Sequence, residues 1–233
     1  MSELFSIQLQ NRQQQGGDGV WLDLPTTTEQ VQAALRQIGI SSDNPQGLFI
    51  SGYFAEEEKR FAIPYNMVLA SNVDELNFLA SRLETLSTVE RAELNAALQA
   101  PQSELSSIGK ITDFPENVEY YVHLPDVHGP AQLGDYYLNR SGMVDMPEEW
   151  KGGIDTAQFG RYVAQQEQGV FTEYGYLVKS GDAWQKVHEG QPVPEEYRVL
   201  SFPASEILRD AANIPPPVQP ETEPQKVIPI ILN

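Results

Sequence analysis

No cysteine occurs in the 233 residues, which excludes disulfide scaffolds, thiolate zinc sites, CxxC redox chemistry and cysteine nucleophiles, and fits a reducing cytosol. Basic residues are scarce. Fifteen Lys and Arg stand against 33 Asp and Glu, for a formal net charge of −18 and a pI near 4.4. A nucleic-acid binder needs a basic face from which counterions are released, so direct DNA or RNA binding is disfavoured. Long hydrophobic runs are missing as well: nothing approaches the ~18 apolar residues of a membrane span. The opening MSELFSIQLQ has neither the basic nor the apolar region of a secretory signal. The expected location is therefore the cytoplasm. Catalytic signatures are equally sparse, with no HExxH, GxSxG, P-loop or GxGxxG; the run Gly16-Gly17-Asp18-Gly19 lacks both a following Lys and a helix start.

What the chain does have is a globular composition, 40% hydrophobic with a mean hydropathy of −0.38. At ~150 residues per domain this length fits one large domain or two to three small ones. Its acids are spread along the body. Residues 1–110 hold 14 acids and 7 bases, residues 111–200 hold 15 and 6, and residues 201–233 hold 4 and 2. An acidic tail would have read as a solvating appendage; a charged body raises the opposite relation to nucleic acid, occupation of a protein groove built for DNA. Scaling for this mass gives a surface of roughly 10,500 Å², or one net negative charge per ~580 Å², whereas duplex DNA presents a phosphate per roughly 100 Å². Mimicry therefore requires segregation. With all carboxylates on half the surface the spacing falls to ~160 Å² each, and otherwise the charge serves solubility alone.

Residues 4–10 alternate like a strand, 11–19 form a polar Gly-rich turn, and 20–24 (VWLDL) form a second strand ending at Pro25. Thr26 and Glu29 have capping-box spacing ahead of a helix whose apolar face is Val31, Ala34, Leu35 and Ile38, closed by Gly39. Another strand spans 47–54. Asn72 caps a helix carrying Leu76, Leu79, Ala80 and Leu83, and Ser87 with Glu90 caps the next, which Pro101 stops. Further on, 118–124 (VEYYVHL) reads as a strand and 132–138 (QLGDYYL) as a short helix. Asp155 caps a helix with Phe159, Tyr162 and Val163, and 171–179 (FTEYGYLVK) reads as one strand. The expected class is α+β: an N-terminal α/β subdomain (1–65), a helical subdomain (66–108), a C-terminal α/β subdomain (109–180), and an extra segment (181–233). That segment has a Pro-rich stretch (213–224) and an apolar end, VIPIIL (227–232), suited to an edge strand or a docking peptide.

Candidate chemistry is thin. His123, His128, Asp126 and Asp135 are close in sequence but match no zinc spacing, so no metal or cofactor is expected. Adjacent carboxylates such as Glu148/Glu149 and Glu195/Glu196 could in principle do acid/base work as in glycoside hydrolysis, but in so acidic a chain such pairs arise by chance on solvated turns. Tyr120, Tyr121, Tyr136, Tyr137, Tyr174 and Tyr176 could stack bases; the negative field opposes this and favours a core edge with wet hydroxyls.

Several stretches together resemble the ArdA family of antirestriction proteins. They are the Asn11 to Gly19 spacing, the turn Trp21 to Pro25, a helix ending Ile38-Gly39-Ile40, and VDELNFLASRLETLS (73–87). Later come LGDYYL (133–138), Pro147 with Asp155 eight residues on, Phe159-Gly160-Arg161 and GVFTEYGYL (169–177). They recur in order over residues 4–178, and the 55 residues after Val178 lie outside them. The resemblance implies a non-enzymatic DNA mimic of conjugative plasmids and transposons: small subdomains strung into an elongated acidic molecule, usually a dimer. Such a molecule occupies the DNA groove formed by the methyltransferase and specificity subunits of type I restriction-modification enzymes.

The expected contact residues are acids on exposed helix faces or loops: Glu56, Glu57, Glu58, Asp74, Glu75, Glu84, Glu90, Glu93, Glu116, Glu119, Asp135, Glu148, Glu149 and Glu167. Such a mimic works through a collective field, so no single acid should dominate and binding should be salt-sensitive. Two other readings remain at this point. One is an interaction module of a mobile element whose C-terminal tail binds a partner; the other is a hydrolase using a carboxylate pair.

Overall fold

A computed structural model describes residues 3–14, 17–56, 60–101 and 103–203. It is mixed α and β, 42% helical and 16% strand, with two small sheets. The first sheet begins with β1 (Phe5–Asn11), whose alternate residues Phe5, Ile7 and Leu9 turn inward. It pairs antiparallel with β2 (Val20–Leu24) on one side and β3 (Leu48–Phe54) on the other, in the order β2-β1-β3. Helix α1 (Thr28–Gln37) lays Val31, Ala34 and Leu35 into the same core, and Gly39 ends it with φ +65°, a backbone geometry that a side chain disfavours. Its cap sits one residue later than the spacing suggests. Thr27 and Gln30 form the capping box because the Thr26 backbone N–H is held by Asn77 Oδ1 at 2.7 Å, fixing that residue outside the helix.

The middle of the chain is helical: α2 (Tyr65–Leu69), α3 (Val73–Leu83), α4 (Thr88–Gln99) and α5 (Ile108–Thr112). Asn72 with Glu75 and Ser87 with Glu90 form complete capping boxes, as their spacing implies. The second sheet, in the order β4-β6-β5, comprises β4 (Tyr121–Leu124), β5 (Val170–Thr172) and β6 (Gly175–Lys179), all antiparallel. Two strand expectations change here. Residues 118–120 form a helical turn ahead of β4, because the Tyr120 N–H bonds back to the Asn117 carbonyl. The run 171–179 is a hairpin, turned at Glu173 and Tyr174. There the Thr172 hydroxyl donates to the Gly175 carbonyl and accepts from the Tyr174 N–H.

Between β4 and β5 lie α6 (Pro130–Asp135), which continues as a π turn over Tyr136–Arg140, then the short α7 (Glu148–Lys151) and α8 (Thr156–Glu167). Helices α6 and α8 cross with their backbones in direct apposition. A Cβ at Gly134 would overlap the Thr156 carbonyl, and one at Gly160 would overlap the Pro130 carbonyl. Both glycines belong to stretches that carry the family resemblance.

One main hydrophobic core runs from Leu4 through the four middle helices to Leu177 and Val199, and a smaller one gathers Val127, Leu133 and Tyr176. Residues 180–203 run back over the helical segment, with Val199 only 6% exposed and Trp184, Leu200 and Phe202 packed on the main core. The Pro-rich stretch 213–224 and VIPIIL lie outside the described residues. The accessible surface is 14870 Å², so the net charge averages one per about 830 Å². That average is far sparser than the phosphates of a duplex.

Candidate acidic partner-binding surface

The carboxylates divide by what each already does within the fold. Glu93, expected on an exposed face, is buried on the inner side of α4 at 8% exposure, and its Oε1 has no hydrogen-bond partner among the described residues. Burial, reinforced by the nearby Glu90 charge, pushes its pKa up to about 8, so near neutrality it is largely protonated and adds little to the field. Asp74 is half-buried. One oxygen accepts the backbone N–H groups of Val199 and Leu200 at 2.8 and 2.7 Å. Glu167, also half-buried, accepts the hydroxyls of Tyr137 and Tyr176, and both phenols are pushed well above their ordinary range by burial and by that carboxylate. Tyr120 likewise donates to Glu104, so these three phenols give their hydroxyls to acids, and Tyr176, expected at a core edge, lies fully inside the smaller core.

Glu75 and Glu90 turn back onto the first residues of their helices as capping-box partners. The Ser87 hydroxyl and backbone hold Glu90 below the usual carboxylate range, so it keeps its charge while serving the cap. Three further acids share their charge with a base: Glu116 with Arg82, Asp135 with Arg140, and Glu148 with Lys151. Pairs near the surface are worth only ~0–1 kcal/mol, yet each base offsets part of the negative field its acid presents outward. Glu104 is similar, lowered chiefly by its hydrogen bond from Lys179, with Lys110 on its other oxygen.

Glu119 and Glu149 remain exposed, their carboxylates making no ion pair or hydrogen bond among the described residues. Glu56 is exposed beside the end of β3, and Glu84 is half-buried after α3. Glu57 and Glu58 lie outside the described residues. The fold brings Glu116 and Glu119 onto the rim of one depression together with Asp182, and sets Glu75 beside Glu189 on another. Exposed acids that the sequence reasoning did not nominate include Asp43, Asp126, Asp145, Asp182, Glu195 and Glu196. The last three stand on the 180–203 segment, outside the resembling stretches, where the sequence offered Glu195 and Glu196 only as a chance carboxylate pair. A count of acids within that segment would have found them.

His123 is drawn into the second sheet by a 2.7 Å bond from Nε2–H to the Tyr174 carbonyl, and burial lowers its pKa. Asp135 instead serves Asn139 and Arg140. Among the described residues no three His, Asp or Glu side chains converge as metal ligands, and no helix is long and apolar enough to cross a membrane.

Comparison with known proteins matches residues 17–178 to the family described as antirestriction protein (ArdA). No curated protein matches the chain.

Proposed function

The chain belongs to the ArdA antirestriction protein family, and from that premise we propose that it acts as a DNA mimic. It occupies the DNA groove formed by the methyltransferase and specificity subunits of a type I restriction-modification enzyme. The observation that carries the reading is the coincidence of the family match with the acid excess: residues 17–178 hold 24 acids against 9 bases. Carboxylates standing where phosphates would sit meet the Lys and Arg that line such a groove. The attraction is long-ranged, screened by salt and shared among many side chains. Among the described residues Glu119 and Glu149 are the nominated acids best placed to contribute, and Glu75, Glu90, Glu116, Asp135 and Glu148 contribute a diluted field. Glu93, Asp74 and Glu167 act through the fold.

The test is made in cells carrying an active type I system. Expressing the chain should raise the survival of incoming unmodified DNA toward the level in a restriction-deficient strain. Survival unchanged at equal protein abundance would overturn the reading.

A further inference from the structure

Residues 180–203 carry no helix or strand apart from a single turn at Glu195–Tyr197, yet they are held along their whole length by side chains of the body. The Ser180 N–H bonds to the Tyr120 carbonyl, and Trp184 packs edge-on to the Tyr120 ring at 5.1 Å. Asn117 exchanges two hydrogen bonds with the backbone of Gln185, at 2.7 and 2.9 Å. Asp113, fully buried after α5, accepts three successive backbone N–H groups, from Val187, His188 and Glu189, at 3.3, 2.6 and 3.2 Å.

Phe78 of α3 then takes His188 and Tyr197 against its ring. Asn77 donates to the Tyr197 carbonyl while its oxygen accepts from Thr26, and Asp74 accepts from Val199 and Leu200. The path ends at the first sheet's helix layer, where Gln32 of α1 donates to the Ser201 hydroxyl and the Ser42 N–H to the Pro203 carbonyl. A carboxylate satisfied by several backbone N–H groups is among the stronger neutral-pH anchors available to a loop.

We propose that residues 180–203 are a brace that fixes the second sheet, the helical segment and the first sheet relative to one another, with Asp113 and Asp74 as its positioning residues. The brace lies beyond the family-matched stretch. Its consequence for inhibition rests on the DNA-mimic reading, because a mimic displaces duplex only if its acids keep a fixed spacing along the groove. Two carboxylates that look like surplus negative charge thus act by holding the others in place.

The test uses the full chain with a removable staple. An ideal Cβ at Gly109 lies 3.7 Å from the Cβ of Glu189, within the ~3.5–4.5 Å range of a disulfide, and 3.3 Å from its Cα, so the segment must shift slightly to admit the staple; the chain has no cysteine to mispair. Gly109→Cys with Glu189→Cys is combined with Asp113→Ala. With the staple reduced, Asp113→Ala should speed hydrogen exchange at amides 185–200, broaden the small-angle scattering profile, and lower potency against a type I enzyme by about tenfold. Oxidising the staple should restore all three; because a disulfide also raises global stability, the assays are run where unfolding curves show the reduced variant fully folded, so that a general loss of stability cannot produce the change. A reduced variant with a freely exchanging segment but unchanged scattering and potency overturns the brace. A wild-type chain that fails to inhibit overturns the mimic reading instead, and the brace then stands or falls on the scattering profile.

Discussion

Glu93 and Asp113 are both buried acids, with opposite surroundings. Asp113 receives three N–H groups, so Asp113→Ala leaves three part-buried donors without their acceptor; at ~1–3 kcal/mol for a buried orphaned group, and less for one that water reaches, a loss of about 3 kcal/mol in chemical unfolding is expected. Glu93 has an unpartnered oxygen and a pKa of about 8 in the fold against 4.5 outside it. Between those values the folded chain holds a proton that the unfolded chain releases. Its burial therefore costs least below pH 4.5, and the cost grows as pH rises to 8. Glu93→Gln should accordingly gain stability over wild type as pH rises from 5 to 8, on the order of 2–4 kcal/mol across that window, measured by urea unfolding at both pH values. A constant difference would contradict it. Neither burial was legible in sequence. Glu93 falls on α4 between residues of its apolar face, and Asp113 follows a five-residue helix; only the packing of residues 180–203 reveals its partners.

At the scale of elements the sequence was most readable where local chemistry is self-contained. The boxes at Asn72 and Ser87 are side chain to backbone bonds within four residues, and the β1–β2 hairpin follows from alternation and a polar turn. Reading failed where distant groups decide: Asn77 shifts the α1 cap, and a Thr172 side-chain bond turns one apparent strand into a hairpin that carries no Asn-Gly or Asp-Gly signal. The α6–α8 crossing makes the sharpest prediction here. Gly160→Ala forces two backbones apart and should cost about 2 kcal/mol or more in thermal or urea unfolding. Gly152→Ala, with nothing within 4 Å of its Cβ, should stay within about 0.5 kcal/mol.

Over the whole molecule, a net −18 spread across 14870 Å² is too dilute to act as an average. On the DNA-mimic proposal, function comes from where the unpaired carboxylates stand and how firmly they are held. If the field is collective, Glu119→Gln or Glu149→Gln alone should weaken binding to a type I enzyme by less than about 1 kcal/mol, with losses roughly additive when combined. Titration calorimetry at fixed salt reads this, and one substitution abolishing binding would point to a discrete site. The central claim is that the protein and duplex DNA compete for one groove. It is tested most directly by titrating the chain into a type I methyltransferase–specificity complex bound to a fluorescent duplex at low salt. The account predicts complete displacement of DNA, with the apparent affinity for DNA falling in proportion to added protein and the effect fading as salt rises. A stable ternary complex, with the duplex still bound at saturating protein, would contradict it.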